Sequence, residues 1–443
     1  MEQVDLIISA DWIIPVEPRG AVYTNHAIAI KAGHIVALAP SSEIGARFSA
    51  KTSISRPGHA LIPGLVNAHT HAAMSLFRGI ADDLPLEKWL GEHIWPAEAR
   101  WASAEFVRDG TELAICEMLR GGTTCFQDMY FFPDVVAQAA VERNIRAVVG
   151  MIVLEVPTAW AQNAAEYIDK GLAVHDRFRG SSLVHSTFAP HAPYTVTNET
   201  FERIRMLADE LDTHIHMHVH ETASEVDDAL REHRQRPLQR LDERGLVTSQ
   251  LAAVHMTQLQ DVEIELLAER GASVIHCPES NLKLASGFCP VDRLMKAGVN
   301  VALGTDGAAS NNDLDLFGEM RTAALLAKGV ANDASAVTAE QALEMATLGG
   351  ARAIGLADEI GSLKPGKSAD IVALDFGVPA CQPVHHPISQ VVYSASREQV
   401  ADVWVAGNAV VNGGELLAAD QGEIIERASA WQKRLAETDA QHD

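Results

Sequence analysis

The stretch Leu61-Ile62-Pro63-Gly64-Leu65-Val66-Asn67-Ala68-His69-Thr70-His71 is where the chain changes texture. Before it, residues 4–60 read as short β segments: Val4–Ser9, Ala27–Lys31 and His34–Leu38, the last two joined through Ala32-Gly33 as a tight hairpin. From Leu61 onward, short apolar runs alternate with helical stretches, the pattern of βα units and a parallel sheet. Strands are expected to begin near Leu61, Thr123, Ala147, Leu183, His214, Ala252, Ala272 and Asn300. Eight parallel strands suggest a closed barrel. A helix is expected over Asn198–Leu211, where Phe201, Ile204, Leu207, Ala208 and Leu211 recur at helical spacing behind a Thr197 or Asn198 cap. After a last helical stretch near Ala339–Ile354, β texture returns at Asp370–Asp375 and Val400–Val405, followed by turn signals at Ala406-Gly407-Asn408 and Asn412-Gly413-Gly414. The β-rich ends are expected to pair into one small domain beside the barrel.

Composition narrows the partners. The chain has 443 residues with 35 Lys+Arg against 59 Asp+Glu, a formal net charge of −24, which would repel phosphate backbones and anionic lipid. No apolar run reaches the roughly 20 residues that span a bilayer. The start, Met1-Glu2-Gln3-Val4-Asp5, lacks the basic and apolar regions of a signal peptide, so a cytoplasmic location is expected. The five cysteines, Cys116, Cys125, Cys277, Cys289 and Cys381, are widely spaced and contain no CxxC, which argues against disulfides or thiolate zinc.

In such barrels the site gathers at the C-terminal ends of the strands, so polar residues that follow strands carry the most weight. His69 and His71 lie two apart on a strand and project the same way, either as two ligands of one metal or as two hydrogen-bonded interior histidines. His214, His216, His218 and His220 share one expected face, but a single site cannot use all four. The end nearest the loop favours His218 as a third ligand and Glu221 as a proton-transfer carboxylate. His255 alone reads as a core histidine; Asp306, in Gly304-Thr305-Asp306-Gly307, reads either as a fourth ligand or as a turn aspartate. Jointly these residues converge on one barrel mouth. Three His and one Asp suit Zn²⁺, with Fe²⁺ or Mn²⁺ as further candidates, and leave a position for a water whose pKa such an ion lowers to about 7.

The segments PGLVNAHTH, HVHET, HCPESNLKLASG and LGTDGAASNNDLD, together with the tail GSLKPGKSADIV, resemble the amidohydrolase superfamily, in its branch of one-metal deaminases and chlorohydrolases. The resemblance runs nearly end to end. It implies an α/β fold: a (β/α)8 TIM-type barrel, assigned to residues 61–364, with a small β-sandwich domain built from residues 1–60 plus 365–443. It also implies one zinc per subunit on His69, His71, His218 and Asp306, and a homo-oligomer. No lysine follows the fourth strand as the two-metal members require. Within the superfamily the chain is most similar to the 5′-methylthioadenosine/S-adenosylhomocysteine deaminases. That likeness implies substrate contacts at Trp89, Glu98, His191, Glu221 and Asp306, with Glu98 accepting hydrogen bonds from ribose hydroxyls. Glu98 read alone is a solvated carboxylate at a helix start, and His191, between prolines, is also readable as structural.

The implied activity is hydrolytic deamination of an adenine nucleoside, foremost 5′-methylthioadenosine, with S-adenosylhomocysteine and adenosine as further substrates. Glu221, His255 and Asp306 are the implied catalytic residues. Glu221 would protonate the ring nitrogen beside C6, His255 would orient the attacking hydroxide and Asp306 would pass a proton to the leaving amino group. Members that accept S-adenosylhomocysteine hold its carboxylate with arginines in or after the third strand. Here no arginine occurs between Arg146 and Arg177, the position aligned with the first of them is Met151, and the apolar stretch Met151-Ile152-Val153-Leu154 favours a neutral methylthio group. Alternatives are deamination or dechlorination of guanine, cytosine or a triazine on the same scaffold, or a noncatalytic metal-binding barrel; the Glu98 motif and the intact Glu221, His255 and Asp306 weigh against them. Gly361 to Ser368 satisfies the phosphate-loop expression GxxxxGK[ST], yet Pro365 removes an N–H and a strand follows, so no phosphate cradle is expected.

Overall fold

A computed structural model describes residues 1–417 and 419–439. Eight parallel strands form one sheet in simple sequential order: Leu65–Thr70, Thr123–Asp128, Arg146–Val153, Val184–Pro190, Ile215–Val219, Leu251–His255, Ser273–His276 and Asn300–Leu303. Helices return the chain between them, as right-handed βα crossovers require. Asn198–Leu211 is one such helix, capped by the Thr197 side chain, with Phe201, Ile204 and Ala208 buried. The first and last strands are stitched by a side chain: Asn67 Oδ1 accepts the Thr305 N–H at 3.0 Å and Asn67 Nδ2 donates to Thr305 Oγ1 at 2.8 Å. One backbone bond, from Asp306 N–H to the His69 carbonyl at 3.1 Å, completes the closure. Gly304 permits that approach, since a Cβ there would lie 2.7 Å from His69 Cβ.

The chain termini meet in a nine-stranded mixed sheet. Its path runs Glu415–Leu416, Asn408–Asn412, Val400–Val405, Ile371–Asp375, Phe48–Pro63, Glu2–Ile13, His26–Lys31 and His34–Pro40, with Tyr23–Thr24 paired to Glu2–Ile13. The expected hairpin is present: Lys31 pairs with His34 around Ala32 and Gly33, both in the left-handed region. One expectation is corrected. Leu61 does not open the first barrel strand; it pairs with Ala373 in the mixed sheet, and the barrel strand begins at Leu65. The apolar run Ala60–Ile62 reads the same in either sheet, so periodicity could not separate them.

The two sheets are joined beneath the third strand. Arg146, almost fully buried, reaches Asp370 at 3.4 Å and the Ser182 carbonyl at 2.6 Å. The phosphate-loop match lies in this region: Ile371–Asp375 is the strand expected after it, and Lys367 Nζ donates to the Ile360 carbonyl. All five cysteines are free and buried. Among the described residues no helix is long and apolar enough to cross a membrane.

Candidate active site

Four side chains from three places in the sequence converge at the C-terminal mouth of the barrel. His69 ends the first strand and His71 follows it; their Nε2 atoms lie 3.3 and 3.2 Å from Asp306 Oδ1. His218 Nε2 is 3.2 Å from His69 Nε2. The remaining ring nitrogens are already engaged. His71 Nδ1 donates to the Met129 carbonyl at 2.5 Å and His218 Nδ1 donates to the His191 carbonyl at 2.9 Å. His69 Nδ1 is 2.7 Å from His216 Nε2. The carbonyl acceptors place the His71 and His218 protons on Nδ1 and leave Nε2 lone pairs, that of His71 facing Asp306 and that of His218 facing His69 Nε2, the arrangement that metal-binding imidazoles adopt. Buried lone pairs and a carboxylate oxygen facing one another are repulsive without a cation between them, and three nitrogens with one oxygen suit Zn²⁺. His255 also falls within reach of His69 and His218, so two overlapping triads, His69/His71/Asp306 and His69/His218/His255, could hold an ion.

Asp306 is held from behind. Its Oδ2 accepts the Ser280 hydroxyl at 2.7 Å and the Ser310 hydroxyl at 2.9 Å, while Oδ1 accepts the Gly307 N–H at 2.9 Å. Burial opposes its charge, and these three donors offset that by hydrogen-bonding the ionised carboxylate. His255 Nδ1 lies 2.9 Å from Asn281 Nδ2, and its Nε2 faces Glu221 Oε2 at 3.7 Å. Both His255 and Asp306 have positive φ, 74° and 62°, a strained conformation for such residues that clusters at functional sites. Glu221 is buried; desolvation, then the charges of Asp306 and Glu225, push its pKa well above the ordinary value. Burial thus favours its protonated form.

Above these groups opens a cavity of about 460 Å³, the size of a small-molecule site. Trp89 and Glu98, on the helical segment Leu86–Trp101, form part of its wall, as do His191, His218, Glu221 and Asp306. Glu98 is half-buried, not a freely solvated carboxylate, and desolvation raises its pKa to about 7. His191 is pushed down to about 3 by burial and by the nearby His71 and His69. Every residue singled out for the site thus lies in or beneath this cavity.

Two details depart from expectation. His220 does not share the face of His218: its φ of 54° turns the ring away, and its Nε2 accepts the Leu238 N–H at 3.1 Å. The strand ends at Val219, so period two no longer applies. Met151, aligned with a substrate-binding arginine, faces the helix side, packing where a Cβ on Gly171 would come within 2.8 Å. Its neighbours Ile152 and Leu154 line the cavity instead. Ser280, Asn281 and Tyr130 carry no signal in the sequence reading, and His216, weighed there as a bystander, serves as the partner of His69 Nδ1. Tyr130 stands two residues past the second strand, where the rule of polar residues after strands would have flagged it.

The chain belongs to the amidohydrolase family, whose model matches residues 60–410. Among its relatives is the 5-methylthioadenosine/S-adenosylhomocysteine deaminase of Teredinibacter turnerae, 50% identical over 98% of both chains. The 5′-deoxyadenosine deaminase of Methanopyrus kandleri is 46% identical over 85% of this chain and 86% of its own. A crystal structure of an adenosine deaminase from Xanthomonas campestris with bound zinc superposes with a TM-score of 0.97 at 54% identity, covering 98% of this chain and 99% of that one. An atrazine chlorohydrolase from Arthrobacter aurescens, 22% identical with a TM-score of 0.90 over 96% of this chain and 99% of that one, shares the fold.

Proposed function

We propose that this chain is a metal-dependent hydrolytic deaminase of adenine nucleosides, with 5′-methylthioadenosine as preferred substrate and 5′-methylthioinosine and ammonia as products. The observation that carries the reading is the convergence of His69, His71, His218 and Asp306 beneath a cavity whose wall holds Glu221, His255 and Glu98. Those first four residues would hold one divalent ion, zinc before Fe²⁺ or Mn²⁺. When bound, such an ion supplies the Lewis acidity that makes a water nucleophilic at neutral pH. Protonated Glu221 donates to the ring nitrogen beside C6 as that carbon becomes tetrahedral, so no uncompensated negative charge builds on the ring. Asp306, fixed by Ser280 and Ser310, carries the proton released from water to the departing amino group. His255, braced by Asn281, orients the nucleophile. Trp89 and His191 bound the base and sugar, and Glu98 accepts from ribose hydroxyls.

The 5′ preference follows from the wall near the third strand. Ile152, Leu154 and Val156 present apolar surface, and the cavity lining contains no lysine or arginine among the described residues. A methylthio group gains from that burial, whereas the carboxylate of S-adenosylhomocysteine finds no cationic partner there. The test is kcat/KM for the two nucleosides, followed by the absorbance change as adenine becomes hypoxanthine; equal values refute the preference, and no conversion of either refutes the activity. With the boundary moved as above, the same reading treats residues 1–63 plus 365–443 as a composite β domain beside the barrel of 64–364. It also expects one metal per subunit in a cytoplasmic homo-oligomer, checked by elemental analysis, cell fractionation and sedimentation.

A further inference from the structure

Tyr130 is a buried side chain with no assigned work. It is 4% exposed, its ring packs on Phe131 at 5.0 Å between centroids, and it forms part of the cavity wall. Its hydroxyl finds no hydrogen-bond partner among the described residues. Glu98 stands beside it, close enough that each shifts the other as a hydrogen-bonding neighbour would, but the contact falls short of ordinary hydrogen-bond geometry and leaves room for a better partner. A buried hydroxyl left unpaired is costly, and Phe would fill the same space without that cost. The arrangement makes sense if a third group, one that both donates and accepts, enters between them with the ligand.

We infer that Tyr130 is a specificity-determining residue that reads a ribose hydroxyl jointly with Glu98: the substrate hydroxyl donates to the Glu98 carboxylate while its oxygen accepts the Tyr130 O–H. This rests on the adenine-nucleoside reading above. A hydroxyl fits because it serves both neighbours at once, whereas a hydrogen or an ether oxygen at that position would leave one of them unpaired. Burial and the Glu98 charge push the Tyr130 phenol pKa above its ordinary value, which favours the protonated, donating form. Trp89 Nε1, also buried and unpartnered among the described residues, supplies a second donor to the same cavity, but an indole N–H cannot accept and so cannot replace the phenol in this bridge.

The experiment compares wild type, Tyr130→Phe and Glu98→Gln on 5′-methylthioadenosine and its 2′-deoxy and 3′-deoxy analogues. Metal content and thermal melting confirm that each variant is folded and loaded. Wild type is expected to prefer the ribonucleoside over at least one deoxy analogue by tenfold or more in kcat/KM. Tyr130→Phe is expected to erase about tenfold of that preference while keeping kcat/KM for the disfavoured deoxy analogue within about threefold of wild type, the scale of one neutral hydrogen bond. The analogue whose discrimination is lost identifies the hydroxyl that is read. Three results overturn the inference: wild type that does not discriminate, Tyr130→Phe that discriminates as wild type does, and Tyr130→Phe that loses ribo and deoxy activity equally, which would mark a purely structural role. Wild type that deaminates none of the three nucleosides refutes the functional reading itself, a separate outcome.

Discussion

Removing the Ser280 hydroxyl isolates what the groups behind Asp306 contribute. Each serine hydroxyl has one proton. Each has a second, longer acceptor at 3.1 Å, Ser310 Oγ for Ser280 and the Gly307 carbonyl for Ser310, but Ser280 Oγ makes the shorter bond to Asp306 Oδ2, 2.7 Å against 2.9 Å. A hydrogen bond to a buried charge is worth about 1.5–3 kcal/mol, and about 1.4 kcal/mol is tenfold in an equilibrium constant. In Ser280→Ala, the Ser310 proton can turn wholly to Asp306 and recover part of the loss. The expected net weakening of zinc binding is therefore about tenfold, at the lower end of what groups behind a metal ligand contribute. Ser310→Ala, which leaves the shorter bond intact, is expected to cost about threefold. Because the two hydroxyls share one oxygen and lie 3.1 Å apart, the double variant should lose more than the sum of the two single losses. Competition against a chromophoric chelator measures the affinity without reference to turnover. Unchanged zinc affinity in Ser280→Ala, or a larger loss in Ser310→Ala, would refute the assignment of Ser280 as the principal support of Asp306.

Three further outcomes follow from the same geometry. Glu221→Gln should keep full metal content, since Glu221 is not among the proposed ligands, while kcat falls by about 10²-fold or more as the proton donor is lost; retained turnover would exclude that role. His69→Ala should lose bound metal on elemental analysis, and full occupancy would contradict the ligand assignment. Glu112, 1% exposed, binds Arg108 and Arg143 and reaches Arg427 on the C-terminal helix. Burial raises its pKa, but Arg427 and the other arginines outweigh that and hold it below the ordinary 4.5. A depressed folded-state pKa stabilises above the unfolded value and is lost as pH falls through the folded one. Glu112→Gln should thus cost up to about 3 kcal/mol near pH 7, limited because the arginines reach solvent, and the gap in Tm from wild type should close below about pH 4.5; a gap independent of pH would refute the pairing.

The parts of this molecule that could be read from its sequence are those governed by short-range rules. Alternation of apolar runs with helices gave eight strands in order, and Thr197 before a helical stripe located a helix to its ends. The barrel boundary was misplaced because Leu61 is equally apolar in either sheet, and only its pairing with Ala373 decides the matter. In the site, residues that lie directly at strand ends were found by position. Those that act from behind were not, because their roles depend on contacts across long sequence separations: Ser280 to Asp306, Asn281 to His255 and His216 to His69. His220 and Met151 mark the limit of inference from period. Each was assigned a direction by counting along a strand or an alignment, and each points elsewhere once a left-handed φ or a neighbouring helix is taken into account.

The case of Met151 also bears on how specificity could change in this scaffold. An arginine placed at 151 would project toward the Gly171 helix and could not meet a substrate carboxylate, so the missing cation is not restored there. Position 152 or 154 faces the cavity. An arginine at 154, nearer the loop, could keep its aliphatic stem against Ile152 and present its guanidinium to the 5′ end of a bound nucleoside. The apolar wall is thus built by Ile152 on the third strand and Leu154 just past its end, and its conversion depends on substituting a position that faces the cavity. Leu154→Arg should raise kcat/KM for S-adenosylhomocysteine relative to 5′-methylthioadenosine by about tenfold, one charge-assisted pair partly exposed to solvent, whereas Met151→Arg should leave the ratio unchanged and lower thermal stability through the buried charge. Equal shifts in the ratio from both variants would show that the cavity-facing position does not set the 5′ preference.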